Sequence, residues 1–484
     1  MRRLPDLLFH TSRNGKIGFS VADSALPDKL IAVAESNRRR ESADLPQLSE
    51  VEVVRHFTAL AHLNYSVDEG FYPLGSCTMK YNPKINEKIA AQPGLNAHPY
   101  SAHEMVQGNL EIMHTLQVFL ETLTGLAEFS LAPAAGAHGE FTGMLIIRKY
   151  LAAKGNPRKV VLIPDSAHGT NPASAHLAGY EIREVPSNSE GILDEETLRR
   201  YLTPEVAALM MTNPNTLGIF ERHIAAIADA LHRNGSLLYM DGANLNALLG
   251  IVRPADLGID VLHINLHKTF ATPHGGGGPG SGPVGVVEHL RPFLPLPRIR
   301  RARGAYEVIY RGEQSIGRIK NFYGQFPVIV RALAYLLTLG RDHVARVAED
   351  AVLSANYIRK QLEPHLDLPY KSPTMHEVVF SDKGQPVKTL DIAKRLLDYG
   401  YHPFTIYFPL IVHGAMMIEP TETESKETLD AFVDVMKKIL NEAKADPALL
   451  QQAPHHTPVR RLDETLAARK PILKWSQGEE TAIK

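Results

Sequence analysis

Two segments constrain this chain more than any others: Leu237 to Ala247, LLYMDGANLNA, and Val261 to Phe270, VLHINLHKTF. Each is an apolar run that ends in polar groups. Short apolar runs of this kind read as buried strands of an α/β sheet, and such sheets bind ligands at the carboxyl ends of their strands. Asp241 closes the first run and Lys268 the second, so both are expected to face one crevice from neighbouring strands. That pairing suits pyridoxal phosphate, whose aldehyde takes a lysine and whose pyridinium nitrogen takes an anion. It also fits a structural salt bridge at a strand end, so other segments must decide.

The surrounding pattern supports the sheet. Ile112–Thr124 and Phe141–Lys154 read as helices, Lys159–Pro164 and Val206–Thr212 as strands, and this alternation implies a mostly parallel sheet covered on both faces. A helical stretch, Phe326–Ala348, leads into a region with its own strand, Glu377–Ser381, and helices, Leu390–Tyr399 and Ser425–Ala443. The 484 residues can bury more than one core. The expected division is an arm with loops over 1–100, a large domain over 101–330, a smaller C-terminal α+β domain over 331–446, and a tail over 447–484. The segment Phe71–Pro83, FYPLGSCTMKYNP, is too rich in Gly, Pro and Asn to be helical, and is assigned to the arm.

A formal net charge of −1 offers no global attraction for nucleic acid or an anionic membrane. The basic run Arg298–Arg303, RIRRAR, is local and reads as a solvated or interface loop. Cys77 is the only cysteine, which excludes an intrachain disulfide and allows a reducing compartment; it reads as a packed or loop thiol rather than a nucleophile. No apolar run approaches membrane-spanning length and no apolar stretch follows Arg2 and Arg3, so the expected location is the cytoplasm.

Four further segments bear on a cofactor. In Ala132–Glu140, APAAGAHGE, small residues open a helix, so the backbone around Ala135, Gly136, Ala137 and His138 can cradle a phosphate. Ile163–Ala175 carries His168 just past a strand end, where an imidazole could stack on a ring. In Met211–Gly218 a strand runs into an Asn/Pro turn, which places Thr212 and Asn215 to bond the phosphate or ring oxygen, or else forms an ordinary Asx turn. Thr272–Pro283 is a glycine-rich run directly after Lys268, expected to pack tightly beside the cofactor rather than act as a linker. His263, His267 and His274 lie close in sequence, but they lack a carboxylate at a familiar ligand spacing, and core or loop roles explain them better than a metal.

Four motifs resemble the glycine decarboxylase P-protein family: GSCTMKYNP from Gly75, DSAHGTNPASA from Asp165, MDGANLNA from Met240 and HKTFATPHGGGGPG from His267. The match runs nearly the whole chain, whose length is similar to the second subunit of the split bacterial form. The resemblance implies an aspartate-aminotransferase-like, type I fold with a seven-stranded sheet. It also implies pyridoxal 5'-phosphate, a homologous subunit 1 with two copies of each chain, and a lipoylated H-protein that accepts the aminomethyl group of glycine. Carried over by motif, Lys268 is the Schiff-base lysine, Asp241 the pyridinium partner, His168 the stacking group and Ala243 a cofactor contact, with the phosphate on the loop Ala135–Gly139. A long lipoyl-lysine arm needs a tunnel; the segments Pro73–Asn82 and Asn96–Glu104 are candidates to line it, with Tyr100 and His103 as contacts to glycine. Another type I enzyme, such as an aminotransferase or a cysteine desulfurase, shares the Asp, His and Lys roles and is the alternative.

Overall fold

The computed structural model describes residues 4–18, 34–41, 43–97, 101–274 and 280–473. Two units separate: Gly70–Ala453, and Met1–Glu69 with Pro454–Lys484. In the second unit the helix Glu50–Ala61 opens with a reciprocal cap, the Ser49 side chain accepting from Glu52 N–H while the Glu52 carboxylate accepts from Ser49 N–H.

The larger unit is built on a seven-stranded sheet: β1 Glu128–Ser130, β2 Val160–Pro164, β3 Glu181–Val185, β4 Val206–Thr212, β5 Leu237–Gly242, β6 Val261–Ile264 and β7 Val284–Val286. The spatial order is β1-β7-β6-β5-β4-β2-β3. β7 runs antiparallel to both β1 and β6, and the other neighbouring pairs are parallel. Every residue of β2, β4, β5 and β6 is buried. Successive side chains feed opposite cores: Leu209, Met211, Leu238 and Met240 on one face, Ala208, Met210, Leu237 and Tyr239 on the other. The helix Gly136–Ala153 covers the second face through Met144, Ile147 and Leu151, while Gln107–Thr124 and Phe326–Leu362 cover the first.

Register then sets the working edge. Thr212 pairs with Asp241, and Asp241 with His263, so three polar residues stand side by side at the carboxyl ends of β4, β5 and β6. The strand expected to carry Lys268 stops at Ile264, and Lys268 instead lies on the single helical turn Leu266–Thr269. The paired register of β6 with β7 ends at His263 opposite Val284. Buried Leu266 then anchors the turn.

The second core surrounds a three-stranded antiparallel sheet, β10 Val378–Ser381, β11 Thr405–Ile406 and β12 Ala415–Ile418, in the order β10-β12-β11. The helices Thr389–Asp398 and Lys426–Ala445 pack on it. Four expectations change. Phe71 is 2% exposed and meets Phe432 edge-on at 5.0 Å, so the loop that follows it belongs to this core rather than to an arm. Pro447–Gln451 is helical with Leu450 buried, which carries the packed chain to Ala453 where a surface tail was expected. The basic run is a strand, β8 Arg298–Ala302, paired with β9 Ala305–Ile309, and Arg298 meets Glu128 at 3.3 Å. The long helix also exceeds its expected end, reaching Leu362 across a non-helical Gly340. Among the described residues no helix is long and apolar enough to cross a membrane.

The cover helix approaches the sheet closely. A Cβ on Gly143 would lie 2.4 Å from Tyr239 Cε2 and 3.0 Å from Val261 Cγ1. Gly143→Ala is therefore expected to destabilise the fold by about 1–3 kcal/mol through overpacking, read as a lower Tm in scanning calorimetry. An unchanged Tm would show that Tyr239 yields at no cost.

Candidate active site

The cavity at the carboxyl ends of β4, β5 and β6 is walled by Thr212, Asp241, His263 and Lys268, by Gly136 and Ala137 from the helix start, and by His168. Asp241 is 2% exposed. Its Oδ2 accepts from Asn171 Nδ2 at 2.9 Å and its Oδ1 from Ala243 N–H at 2.9 Å. His263 Nε2 stands 3.3 Å from Oδ1. Burial opposes the charge, but the His263 ring, the two hydrogen bonds and the nearby Lys268 outweigh it, so the carboxyl sits below its ordinary value.

Glu140 behaves in the opposite way. The same Asn171 amide nitrogen donates to Glu140 Oε2 at 2.9 Å. Burial and the Asp241 charge push Glu140 up to about 8. One charge is thus kept on Asp241 and one proton on Glu140, as two close carboxyls in a poorly solvated site require.

Tyr239 sets the tautomer of His263. Its hydroxyl lies 2.7 Å from His263 Nδ1, and burial holds the phenol well above its ordinary pKa. Donation from that hydroxyl to Nδ1 leaves the ring proton on Nε2, the nitrogen beside Asp241; the other tautomer would set two lone pairs face to face. The ring itself is held below its ordinary pKa by burial.

The helix Gly136–Ala153 begins at an extended Ala135 with no side-chain cap, so its first N–H groups are left for the cavity. A Cβ on Gly282 would lie 2.1 Å from Ala135 O, so the end of the glycine-rich run packs directly on the start of this helix. Residues 275–279 of that run lie outside the described residues. Ala135 and His138 do not wall the cavity. His138 turns back instead, its Nδ1 accepting from Ala134 N–H at 3.2 Å.

Thr212 Oγ1 is buried beside the cavity without a hydrogen-bond partner among the described residues. Asn215 is not available to a ligand as expected. Its amide donates to Gly191 O at 2.7 Å and Glu221 Oε1 at 2.8 Å, and accepts from Leu217 N–H at 3.0 Å, because the turn uses it as an internal brace. Its neighbour Thr216 lines the wall instead. His168 is solvent-exposed at the mouth, and its Nδ1 accepts from Thr170 N–H at 3.2 Å, leaving the proton on Nε2. Partial enclosure lowers its pKa.

Lys268 Nζ donates to Ser76 O at 2.7 Å, across from the sheet. The loop Pro73–Asn82 thus reaches the cavity through Ser76. His103 is not brought there; it stacks against Tyr310 with ring centroids 6.2 Å apart. Tyr100 lies outside the described residues. Cys77 is half-buried, and burial pushes its thiol up to about 11, which removes it as a nucleophile near neutral pH. His274 Nε2 lies 2.8 Å from Cys77 O, and Ser281 N–H donates to His267 Nδ1 at 3.4 Å, so those imidazoles are engaged locally.

Sequence reasoning missed Glu140, Asn171, Ser76 and the role of His263. Glu140 and Asn171 stood inside quoted motifs, but an acid beside a supposed phosphate cradle and an amide one helix away carry no local signal. Glu140 has a pH signature. A carboxyl raised from 4.5 to about 8 contributes stability that is fully present below its unfolded value and is lost as pH rises through about 8. Asp241, shifted the other way, acts below this window. Glu140→Gln should therefore lose no stability between pH 4.5 and 8 from this group, so the Tm difference, variant minus wild type, is expected to rise across that range; a flat difference in calorimetry would refute the buried proton.

Residues 347–455 match the family model described as "Glycine dehydrogenase, C-terminal domain", and residues 140–278 match "Aminotransferase class-V". The chain is 54% identical over 482 residues to a probable glycine dehydrogenase (decarboxylating) subunit 2 of Shouchella clausii, covering 98% of each chain. It is also 54% identical to the protein of the same name from Kosmotoga olearia, covering 98% of this chain and 100% of that one. Among solved structures, an inhibitor-bound glycine decarboxylase P-protein of the glycine cleavage system superposes with a TM-score of 0.69 at 22% identity, covering 86% of this chain and 93% of that one. The cysteine desulfurase CsdA of Escherichia coli gives 0.62 at 15% identity, covering 79% and 98%. The fold is thus the aspartate-aminotransferase-like, type I fold of pyridoxal-phosphate enzymes, and the chain belongs to the glycine dehydrogenase (decarboxylating) subunit 2 family.

Proposed function

We propose that this chain is the cofactor-bearing subunit of a pyridoxal-phosphate-dependent glycine decarboxylase. In the cytoplasm, together with a homologous subunit 1, it would release carbon dioxide from glycine and pass the aminomethyl group to the lipoyl arm of H-protein. The observation that carries the reading is the conjunction of Lys268, charged Asp241 and an uncapped helix start around one cavity. They stand in a chain 54% identical, over nearly its whole length, to proteins named for that reaction.

The wall fits the cofactor. Gly136 and Ala137 N–H with the partnerless Thr212 hydroxyl would hold its phosphate, Asp241 its ring nitrogen and Lys268 its aldehyde, with His168 over the ring. When bound, the cofactor supplies an electron sink for the pair left on the glycine Cα as carbon dioxide departs. Asp241 arrives at that step already ionised and braced by Asn171 and Ala243 N–H, so its charge needs no reorganisation to stabilise a positive ring nitrogen. His263 Nε2 lies 3.3 Å from the carboxylate on its other side. Lys268 would also supply an amine able to carry a proton. His168, neutral with its proton on Nε2, can donate a hydrogen bond to a substrate carboxylate.

The test is the visible spectrum of the assembled subunits before and after glycine. A yellow band that glycine perturbs and that borohydride fixes to Lys268 is expected, with release of labelled carbon dioxide from carboxyl-labelled glycine. Lys268→Ala should abolish the fixed label. Asp241→Ala should still take up cofactor but lose about 10²–10³-fold in kcat, the scale seen when one preorganised electrostatic group is removed. Conversion of the cofactor to its amine form without carbon dioxide would establish an aminotransferase instead.

A further inference from the structure

The loop Gly75–Lys80 lies against Lys268, held there by carboxyls that have no part in the chemistry above. Ser76 and Thr78 both occupy the left-handed region, with φ of 63° and 49°, where residues with a Cβ are uncommon. Two buried acids stabilise that shape. Ser76 N–H donates to Glu377 Oε2 at 2.8 Å, and Thr78 N–H donates to Glu419 Oε2 at 2.9 Å while its hydroxyl donates to Glu419 Oε1. Glu377 and Glu419 are fully buried, as is His376 beside them. His376 Nε2 is 3.9 Å from Glu377 Oε1 and 4.0 Å from Glu419 Oε1, too far for hydrogen bonds. The loop is secured on either side of this pair, by Thr405 Oγ1 donating to Gly75 O at 2.8 Å and by buried Lys80 Nζ donating to Thr269 O at 2.8 Å. The Ser76 carbonyl, its N–H already committed, accepts from Lys268 Nζ at 2.7 Å.

We propose that Glu377 and Glu419 are positioning residues for Lys268. They hold the Ser76–Thr78 backbone so that the Ser76 carbonyl receives the lysine amine whenever that amine is not bonded to the cofactor. The proposal rests on Lys268 being the cofactor lysine. An amine with several donors and no partner in a poorly solvated cavity is costly, so a fixed acceptor keeps it in one place, within reach of the aldehyde. Burial also holds the proton on Glu377 well above the usual carboxylate range. Its part is to accept the Ser76 N–H as a neutral group, and glutamine is then a fair isostere.

The experiment uses the enzyme assembled with its partner subunit and compares wild type, Glu377→Ala, Glu377→Gln and Thr78→Val. Three quantities are read: Tm, the rate at which pyridoxal phosphate added to the apoenzyme becomes borohydride-fixable on Lys268 by peptide mass, and kcat and KM for glycine. In Glu377→Ala both the labelling rate and kcat are expected to fall about 10-fold with KM changed less than about twofold, and Glu377→Gln should restore them to within about threefold of wild type. A folded Glu377→Ala enzyme with wild-type labelling and kcat overturns the proposal, as does failure of glutamine to restore them. If Glu377→Ala does not fold, Thr78→Val decides. It removes one donor to Glu419, and slowing of about threefold is expected while wild-type rates overturn the idea. Absence of any label on Lys268 in the wild type would defeat the functional reading itself, a distinct outcome.

Discussion

The site depends on keeping one negative charge on a carboxylate that has almost no contact with water. Asp241 is held in that state by the Asn171 amide, the Ala243 N–H, the His263 imidazole and the nearby Lys268 amine. Burial alone would favour the neutral acid. Glu140 shows that outcome only one amide away: it shares the Asn171 amide, but burial and the Asp241 charge outweigh that bond. The contrast explains why Asn171 sits between them: its nitrogen serves a neutral acid and an anion at once.

Support for this charge reaches back into the core. Gly143 admits Tyr239 against the cover helix, Tyr239 fixes the proton of His263, and the His263 Nε2–H borders Asp241. Packing of the helix Gly136–Ala153 on the sheet therefore does two things. It buries apolar surface, and it turns the same helix's uncapped start toward the cavity that Asp241 lines. Opposite, the Ser76 loop is drawn in by acids from the second sheet, so both cores of the larger unit meet at Lys268.

Much of this was legible in the sequence because it is local. β4 spans the Val206–Thr212 expected of it, since a run of apolar residues closed by a polar one has few other uses in an α/β chain. Asp241, Lys268, His168 and Thr212 lie on the cavity wall for the same reason: strand ends and the turns after them are where such sheets expose function. The misreadings are equally physical. Asn215 follows a strand as a ligand would, yet the turn it starts needs its amide more. Phe71 begins a Gly- and Pro-rich loop with no periodicity, and only its burial against Phe432 shows that this loop is core.

Composition, strand pattern and motif by themselves determined the fold class and brought Lys268, Asp241 and the helix start at Gly136 to one cavity, because each is written in a few adjacent residues. Tertiary structure alone decided which carboxyl keeps its proton, which nitrogen of His263 carries one, and what receives the Lys268 amine. Those properties arise between groups far apart in the chain, Glu140 with Asp241, Tyr239 with His263, Ser76 with Glu377. They follow from desolvation and hydrogen-bond geometry that exist only once the chain has closed around them.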